Sequence, residues 1–324
     1  MRSVPRSFVL VLSVLATLVA HSAPSAAQAW PQRPVKFVVS LGPGSGVDIG
    51  TRLLGDRLSA RWGQPVVVEN RPGGDGIIAI TSFLSARDDH ILLASPTSSF
   101  TAHPYLHDNL PYRASDLLPI VRVSNTFITI AVPASLNVSS LADLMAMARS
   151  QSGKLNWAGT TGALDFSFAG FLQSNGLNMT KVPYRNPVEA ANDLAEGRVQ
   201  VYEAALAIVR PQLEAGKIKL LVVTNSVRAP TLPNVPTATE AGHPELAFDG
   251  LVGFFGPPGM PLDLRERIAA DVRVVTDAII ESRLITTGQM VNLGGPVEFA
   301  TATEQQSARI AEIAKDLGIK AAGQ

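Results

Sequence analysis

The chain of 324 residues contains no cysteine. This absence excludes disulfides, thiol catalysis, cysteine-ligated metals and a lipid anchor on an N-terminal cysteine. Charge is also scarce, because charged residues make up only 17% of the chain and the 27 basic side chains balance the 27 acidic ones. No long basic or acidic run occurs, so neither nucleic acid nor an anionic membrane surface is an expected partner. Without disulfides the fold must rest on its core, and 46% apolar residues are enough to build one.

The first 29 residues have the layout of a secretory signal peptide. Arg2 and Arg6 precede an uncharged apolar run over 8–20, and the segment ends in small residues at 27–29. The apolar run is too short for a membrane anchor, which needs about 20 apolar residues. We therefore expect cleavage after Ala29 and a mature protein in the periplasm.

Catalytic motifs are missing or defective. His103 and His107 have the four-residue spacing of a zinc-protease motif, but Pro104 stands at the glutamate position and favours an exposed loop over a helix. Ser45 falls one place late for the G-x-S-x-G nucleophile motif, and Gly216-Lys217 is followed by isoleucine, so it is no P-loop. The sequence predicts no enzyme, no catalytic residue, no metal site and no cofactor.

Short β-rich runs alternate with helical patterns, as a parallel sheet with crossover helices requires. Predicted strands at 35–39, 65–70 and 91–94 form one doubly wound α/β lobe, in which the first helix ends at Gly63. A second set of units begins with a strand at 128–132, and one of its helices starts with Asn186 as N-cap and Pro187 as first helical residue. No flexible linker occurs, so we expect two lobes joined by crossing strands.

A glycine-rich loop, SLGPGSGVD, follows the first predicted strand at 40–48. Because it lies at a helix N-terminus, its backbone N–H groups and the helix dipole favour an anion. One alternative is a plain turn capped by Asp48. Another is a dinucleotide-binding fingerprint, which fits poorly because Val47 stands at the third glycine position.

A second loop of this kind occupies 158–163, between a strand and a helix in the other half of the chain. Its alternative is an ordinary turn whose threonines cap the helix. A third hydroxyl-rich segment at 95–99 follows the third predicted strand. Two such loops in two lobes predict a ligand held between the lobes.

Several segments together resemble the extracytoplasmic substrate-binding receptors of tripartite tricarboxylate transporters. They are GPGSGVD at 42–48, GQPVVVENRPGG at 63–74, NLPYRASDLLPI at 109–120, VPYRN at 182–186, LPNVPTATEAG at 232–242 and GFFGPPGMP at 253–261. The resemblance implies an α/β, type II periplasmic-binding-protein fold, with two doubly wound lobes and a ligand cleft between them. Family receptors hold a ligand carboxylate on the loop after the first strand, here 42–48, and on the facing loop of the second lobe, here 160–163.

The resemblance also implies the partners and the division of the chain. Lobe 1 would comprise 30–130 and 255–324, and lobe 2 would comprise 131–254. The partners would be a small organic carboxylate and the permease subunits of the transporter, and the receptor would be a monomer. A ligand-sensing module of a signalling system and a hydrolytic enzyme are the alternatives. The predicted ligand-binding residues are Gly42, Pro43, Gly44, Ser45, Gly46, Val47, Asp48, Ser95, Thr97, Thr160, Thr161, Gly162, Ala163, Leu164, Tyr184 and Glu203.

Three departures from the family pattern bear on the ligand. Val47, Leu164 and Leu251 stand where relatives usually have threonine, a hydroxyl residue and tryptophan. If these side chains face the cleft, it has fewer polar partners for a second or third carboxylate. We then expect a monocarboxylate with an apolar or aromatic body to bind better than citrate. The alternative is that these side chains point into the lobe cores and leave the cleft unaltered.

Overall fold

The computed structural model describes residues 30–160 and 162–322, which fold into two α/β lobes. The predicted signal peptide and Thr161 lie outside the described residues. In the described part of the chain, no helix is long and apolar enough to cross a membrane.

The strands are β1 (Val35–Val39), β2 (Val66–Asn70), β3 (Ile91–Pro96), β4 (Leu118–Thr126), β5 (Ile128–Pro133), β6 (Asn156–Gly159), β7 (Thr180–Pro183), β8 (Val201–Ala205), β9 (Ile218–Val223), β10 (Gly250–Gly256) and β11 (Gln289–Gly294). The helices are α1 (Gly46–Trp62), α2 (Ile77–Ala86), α3 (Ser98–Thr101), α4 (His103–Leu106), α5 (Leu141–Ser150), α6 (Ala163–Ser174), α7 (Pro187–Ala195), α8 (Leu206–Glu214), α9 (Leu262–Val275), α10 (Ala278–Thr286) and α11 (Pro296–Asp316). Short 3-10 helices lie at Gly74–Gly76, Ala114–Asp116 and Pro244–Leu246.

The first lobe contains a six-stranded sheet in the order β11-β4-β10-β3-β1-β2. Strand β1 runs parallel to β2 and β3, whereas β10 is antiparallel to β3 and β4. Helices cover both faces of this sheet, and all seven residues of the central strand β10 are buried. The predicted doubly wound lobe is confirmed.

The second lobe contains a five-stranded sheet in the order β7-β6-β8-β5-β9. Strand β6 runs parallel to β7 and β8, and β5 is antiparallel to β8 and β9. Two mixed sheets covered by helices confirm the predicted α/β fold class. The carboxyl ends of the parallel strands carry the loops that face the other lobe.

The chain changes sheets between β4 and β5, where Phe127 alone separates the two strands. It returns between β9 and β10. Buried Asn225 joins the two crossings, because its side chain accepts from the Ile128 N–H at 2.8 Å and donates to the Thr126 carbonyl at 2.9 Å. The predicted lobe boundaries at 130/131 and 254/255 fall inside β5 and β10, which lie wholly in the second and first sheets.

Helix α11 belongs to the first lobe but also packs on α6 of the second. The side chain of Gln173 in α6 donates to the carbonyl of Asp316 at 2.7 Å, and Arg309 donates to the carbonyl of Glu245. A small apolar cluster fills the seam between the lobes; it consists of Ala102, Ala163, Phe166, Phe248, Ile310 and Ala314. The lobes are therefore joined by a packed seam as well as by the crossing strands.

Candidate ligand-binding cleft

A cleft of about 340 Å³ lies between the lobes. This volume lies within the usual range of small-molecule sites, about 300–1,000 Å³. The first lobe contributes Ser40, Leu41, Gly42, the loop 72–76, Ser98 and Ser99, and the second contributes Thr160, Gly162, Ala163, Leu164, Arg185 and Pro187. Five of the predicted binding residues therefore line the cleft: Gly42, Thr160, Gly162, Ala163 and Leu164.

Most of the predicted loop at 42–48 lies outside the cleft. Only Gly42 lines it, whereas Pro43 and Gly44 are exposed elsewhere and Gly46 faces the side chain of Gln289. Val47 is buried in the core under β1. The expected row of ligand contacts along this loop is absent from the cleft lining, because helix α1 starts at Gly46 and residues 46–48 therefore belong to the helix.

The carboxylate of Asp48 occupies the place in this loop where a ligand anion was expected. The carboxylate of Asp48 accepts from the Gly44 N–H at 2.9 Å, from Arg52 at 2.9 Å and from Asn70 at 2.8 Å. Ser45 is the N-cap of α1, since its hydroxyl accepts from the Asp48 N–H at 3.3 Å. Burial raises the pKa of Asp48, but the three donors outweigh burial and hold that pKa below its ordinary value. The loop is a capped turn, but its N-cap is Ser45 and not Asp48 as in the alternative.

The hydroxyl-rich segment after β3 divides between the cleft wall and the core. Ser98 and Ser99 line the cleft. Ser95 and Thr97 are fully buried behind it, where Ser95 accepts from the Ser40 hydroxyl at 2.8 Å and Thr97 donates to Gln306. Ser95 and Thr97, which were predicted to bind the ligand, therefore support the cleft wall, whereas Ser98 and Ser99 form it.

On the second lobe, the N-terminus of α6 points into the cleft. Helix α6 starts at Ala163, and Gly162 before it has φ 88°. The first N–H groups of a helix have no partner within the helix, and its dipole makes this end positive. A Cβ on Gly162 would lie 3.2 Å from the Ser98 carbonyl of the other lobe. The lobes therefore touch at Gly162, and only glycine fits there without strain.

The remaining predicted residues of the second lobe are engaged within it. The Thr160 N–H donates to Asp165 at 2.8 Å, and Asp165 also pairs with Lys181. Tyr184 donates its hydroxyl to Asp193 at 2.7 Å. Burial and this contact raise the pKa of Tyr184 to about 12. Neither Tyr184 nor Asp193 lines the cleft.

Glu203 is buried under α6 and does not line the cleft. Its carboxyl group accepts from the Ser167 hydroxyl at 3.2 Å. Burial raises the pKa of Glu203 well above its ordinary value, with a further rise from nearby Asp165. Burial therefore favours the protonated, neutral form of this side chain inside the second lobe.

Arg185 is the cationic residue of the cleft lining, and it was not among the binding residues predicted from the sequence. It lies in the VPYRN segment, directly before the N-cap Asn186 of α7, which the structure confirms. The glycine and hydroxyl patterns mark the loops after β1, β3 and β6, whereas Arg185 follows β7. Only the position of Arg185 after β7 could have indicated its place in the cleft. Strand β7 pairs in parallel with β6, so the two strands end at the same edge of the sheet.

The three departures from the family pattern occupy different environments. Leu164 lines the cleft, but Val47 and Leu251 are about 5% and 6% exposed and belong to the cores on the two faces of the first sheet. An apolar monocarboxylate is favoured only if all three side chains face the ligand. With two of them in the cores, the expected preference over citrate loses its basis.

Behind the loop 72–76 lies a cluster of polar side chains. His103 is fully buried and its Nδ1 contacts the hydroxyl of Tyr112. His107 Nε2 lies 3.6 Å from the carboxylate of Asp75, which belongs to the cleft wall. The expected exposed loop is wrong here, because Pro104 occupies the first turn of a one-turn helix, where proline is tolerated. Burial lowers the pKa of His103 to about 4, with a further decrease from His107.

Comparison with known proteins is consistent with a receptor. Residues 51–319 match the family model of the tripartite tricarboxylate transporter family receptor. A UPF0065 protein of Bordetella bronchiseptica is 30% identical over 94% of this chain and 91% of its own length. The chain belongs to this receptor family, as the sequence resemblance predicted, and it is a solute-binding receptor.

Solved structures show the same fold. A protein described as a periplasmic transporter has a TM-score of 0.79 at 26% identity, over 90% of this chain and 99% of that one. The adipate-bound Rpa4515 of R. palustris has a TM-score of 0.78 at 28% identity, with the same shares covered. The malate-bound MatC of Rhodopseudomonas palustris has a TM-score of 0.75 at 26% identity, over 88% of this chain and 99% of MatC. The type II periplasmic-binding-protein fold is thereby confirmed.

Proposed function

We propose that this receptor works in the periplasm, captures a small organic carboxylate in the cleft and delivers it to the permease subunits of a tripartite transporter. One observation carries the proposal: the N-terminus of α6, the hydroxyls of Ser98 and Ser99, and the guanidinium of Arg185 all line one cleft between two lobes. Each of these groups favours an anion. The carboxylate of Asp75, the acidic residue of the lining, lies 3.6 Å from Nε2 of His107.

Similar proteins support a carboxylate ligand. Rpa4515 was solved with adipate and MatC with bound malate, and both superpose over about nine tenths of this chain. Adipate and malate carry two carboxylates each, so the shared fold accommodates such acids.

Capture requires closure of the lobes and no chemical step. A ligand that contacts both walls binds the closed state better than the open one, and it shifts the population toward closure. Closure also removes water from the charge-assisted hydrogen bonds, which strengthens them. We therefore expect the receptor to release its acid unchanged and to act as no enzyme.

A thermal-shift screen of the purified mature protein, residues 30–324, against organic acids tests this function. At least one acid should raise the melting temperature, because a ligand at 100 times its Kd stabilises the native state by about 2.7 kcal/mol. The neutral amide of the same skeleton is the matched control and should cause no shift. Equal shifts from acid and amide, or no shift from any acid, would contradict the proposal.

Export and turnover need separate measurements. The mass of the protein from a periplasmic fraction should correspond to a chain that starts at Trp30. Nuclear magnetic resonance of the bound acid after long incubation should show the same compound that was added. An uncut chain would contradict the signal peptide, and a new product would contradict a pure receptor.

A further inference from the structure

Arg185 is an exposed cation on the cleft wall. It follows β7 and precedes α7, whose first residue, Pro187, lines the same wall. Among the described residues, no hydrogen bond or ion pair engages its guanidinium, whereas Arg198 of the same lobe contacts Asp193 at 2.5 Å. The side chain is therefore available to a bound anion.

The other charged groups near the cleft are already paired. Lys181 pairs with Asp165, the acid in the first turn of α6. Asp75 contacts His107 on the opposite wall. Arg185 is thus the one cationic side chain of the cleft lining among the described residues.

The cleft offers two separate positive positions. One is the N-terminus of α6, where Gly162 and Ala163 are buried and the lobes touch at Ser98. The other is Arg185, which is exposed and lines the same cleft. Ala163 and Leu164 supply apolar surface on the same wall. A ligand with two acid groups joined by a hydrocarbon body offers a partner to each of these groups.

We propose that Arg185 determines specificity by binding a second carboxylate, so that the ligand of this receptor is a dicarboxylate. The inference rests on the proposed carboxylate capture and adds the class of acid. The first carboxylate lies at the N-terminus of α6, and the second lies on the guanidinium fork, which can bind it with two parallel hydrogen bonds. In the open receptor Arg185 is solvated and contributes little, but closure removes that water.

The test compares acids that differ by one carboxylate. Adipate and hexanoate have the same chain length, and calorimetric titration gives the Kd of each for the wild type, Arg185→Gln and Arg185→Lys. Arg149→Gln is the matched control, since Arg149 is an exposed arginine of the same lobe that lies on α5 outside the cleft. Succinate and butanoate repeat the comparison at a shorter length.

We expect the wild type to bind at least one diacid tenfold or more tighter than its matched monoacid, as a charge-assisted bond of about 1.5–3 kcal/mol implies. Arg185→Gln should remove that ratio, because it should weaken the diacid at least tenfold more than the monoacid. Arg185→Lys should restore part of the ratio, and Arg149→Gln should keep all of it.

The failures of the two proposals differ. If diacid and matched monoacid bind the wild type equally, or if Arg185→Gln keeps the ratio, this inference is overturned and carboxylate capture stands. If the wild type binds the neutral diamide as well as the acids, carboxylate capture itself is wrong. Arg185 is exposed, so its substitution leaves the core intact, and an unchanged melting temperature of the free variant verifies the fold.

Discussion

Acid should destabilise the first lobe through His103. This imidazole is fully buried beside Tyr112, and burial lowers its pKa from the ordinary 6.5 to about 4, with a further decrease from His107 and a partial increase from Asp75. Between these two pKa values the unfolded chain binds a proton at this site and the native chain does not. The free energy of unfolding therefore decreases as the pH falls through this window.

The magnitude follows from the two pKa values. One pKa unit corresponds to about 1.4 kcal/mol, so a decrease from 6.5 to about 4 costs at most about 3 kcal/mol in acid. Between pH 7 and pH 5 the loss from this residue is about 2 kcal/mol. Ordinary carboxyl groups titrate near pH 4 and contribute little in this interval. Glu203, whose pKa is raised, contributes with the opposite sign, so the effect of His103 is measured as the difference between the wild type and a His103 variant.

Urea unfolding at pH 7, 6 and 5, followed by tryptophan fluorescence, measures this effect. His103→Gln cannot take up the proton, so its free energy of unfolding should change about 2 kcal/mol less over the interval than that of the wild type. Tyr112→Phe is the control, because it keeps a buried aromatic ring beside His103 and should retain the wild-type pH dependence. Equal pH dependence in the wild type and His103→Gln would show that this imidazole is not the group that takes up the proton.

Three further substitutions separate local strain from function. Gly162→Ala and Gly197→Ala both place a side chain at positive φ, which costs about 1 kcal/mol of stability. Only the side chain at position 162 meets the opposite lobe. Gly162→Ala alone should therefore weaken ligand binding in calorimetry. Glu203→Gln should raise the melting temperature at pH 8, because ionisation of this buried acid opposes folding at that pH. The increase in melting temperature should vanish below about pH 4.5, where the acid is neutral in the folded and the unfolded chain. An increase that persists in acid would contradict the raised pKa. Asp48→Ala removes the acceptor of three hydrogen bonds and should lower the free energy of unfolding by about 3 kcal/mol. The control is Asp56→Ala, at an exposed position of the same helix, and it should leave the free energy of unfolding in chemical denaturation unchanged.

The elements and the class of fold could be predicted from the sequence. Strand β1 was predicted with its observed bounds, and Gly63 and Asn186 cap their helices as expected. These features depend on neighbours within a few residues, through backbone φ and side-chain hydrogen bonds, so local sequence specifies them. The order of strands and helices then restricts the topology to few choices, and family motifs selected one. The loops 42–48 and 158–163 were correctly placed at strand ends for the same reason.

Which side chains reach the cleft depends on the tertiary packing. Asp48 fills the glycine-rich loop because Asn70, 22 residues away, contributes a third donor to its carboxylate. Val47 turns into the core because α1 begins at Gly46, inside the predicted loop, and the packing of this helix on the sheet decides which of its residues are buried. Arg185 joins the cleft because β7 pairs beside β6, a contact between strands that no local pattern encodes. Side-chain direction depends on packing between distant segments, and this is why the lobes follow from the sequence while the inner surface of the cleft does not.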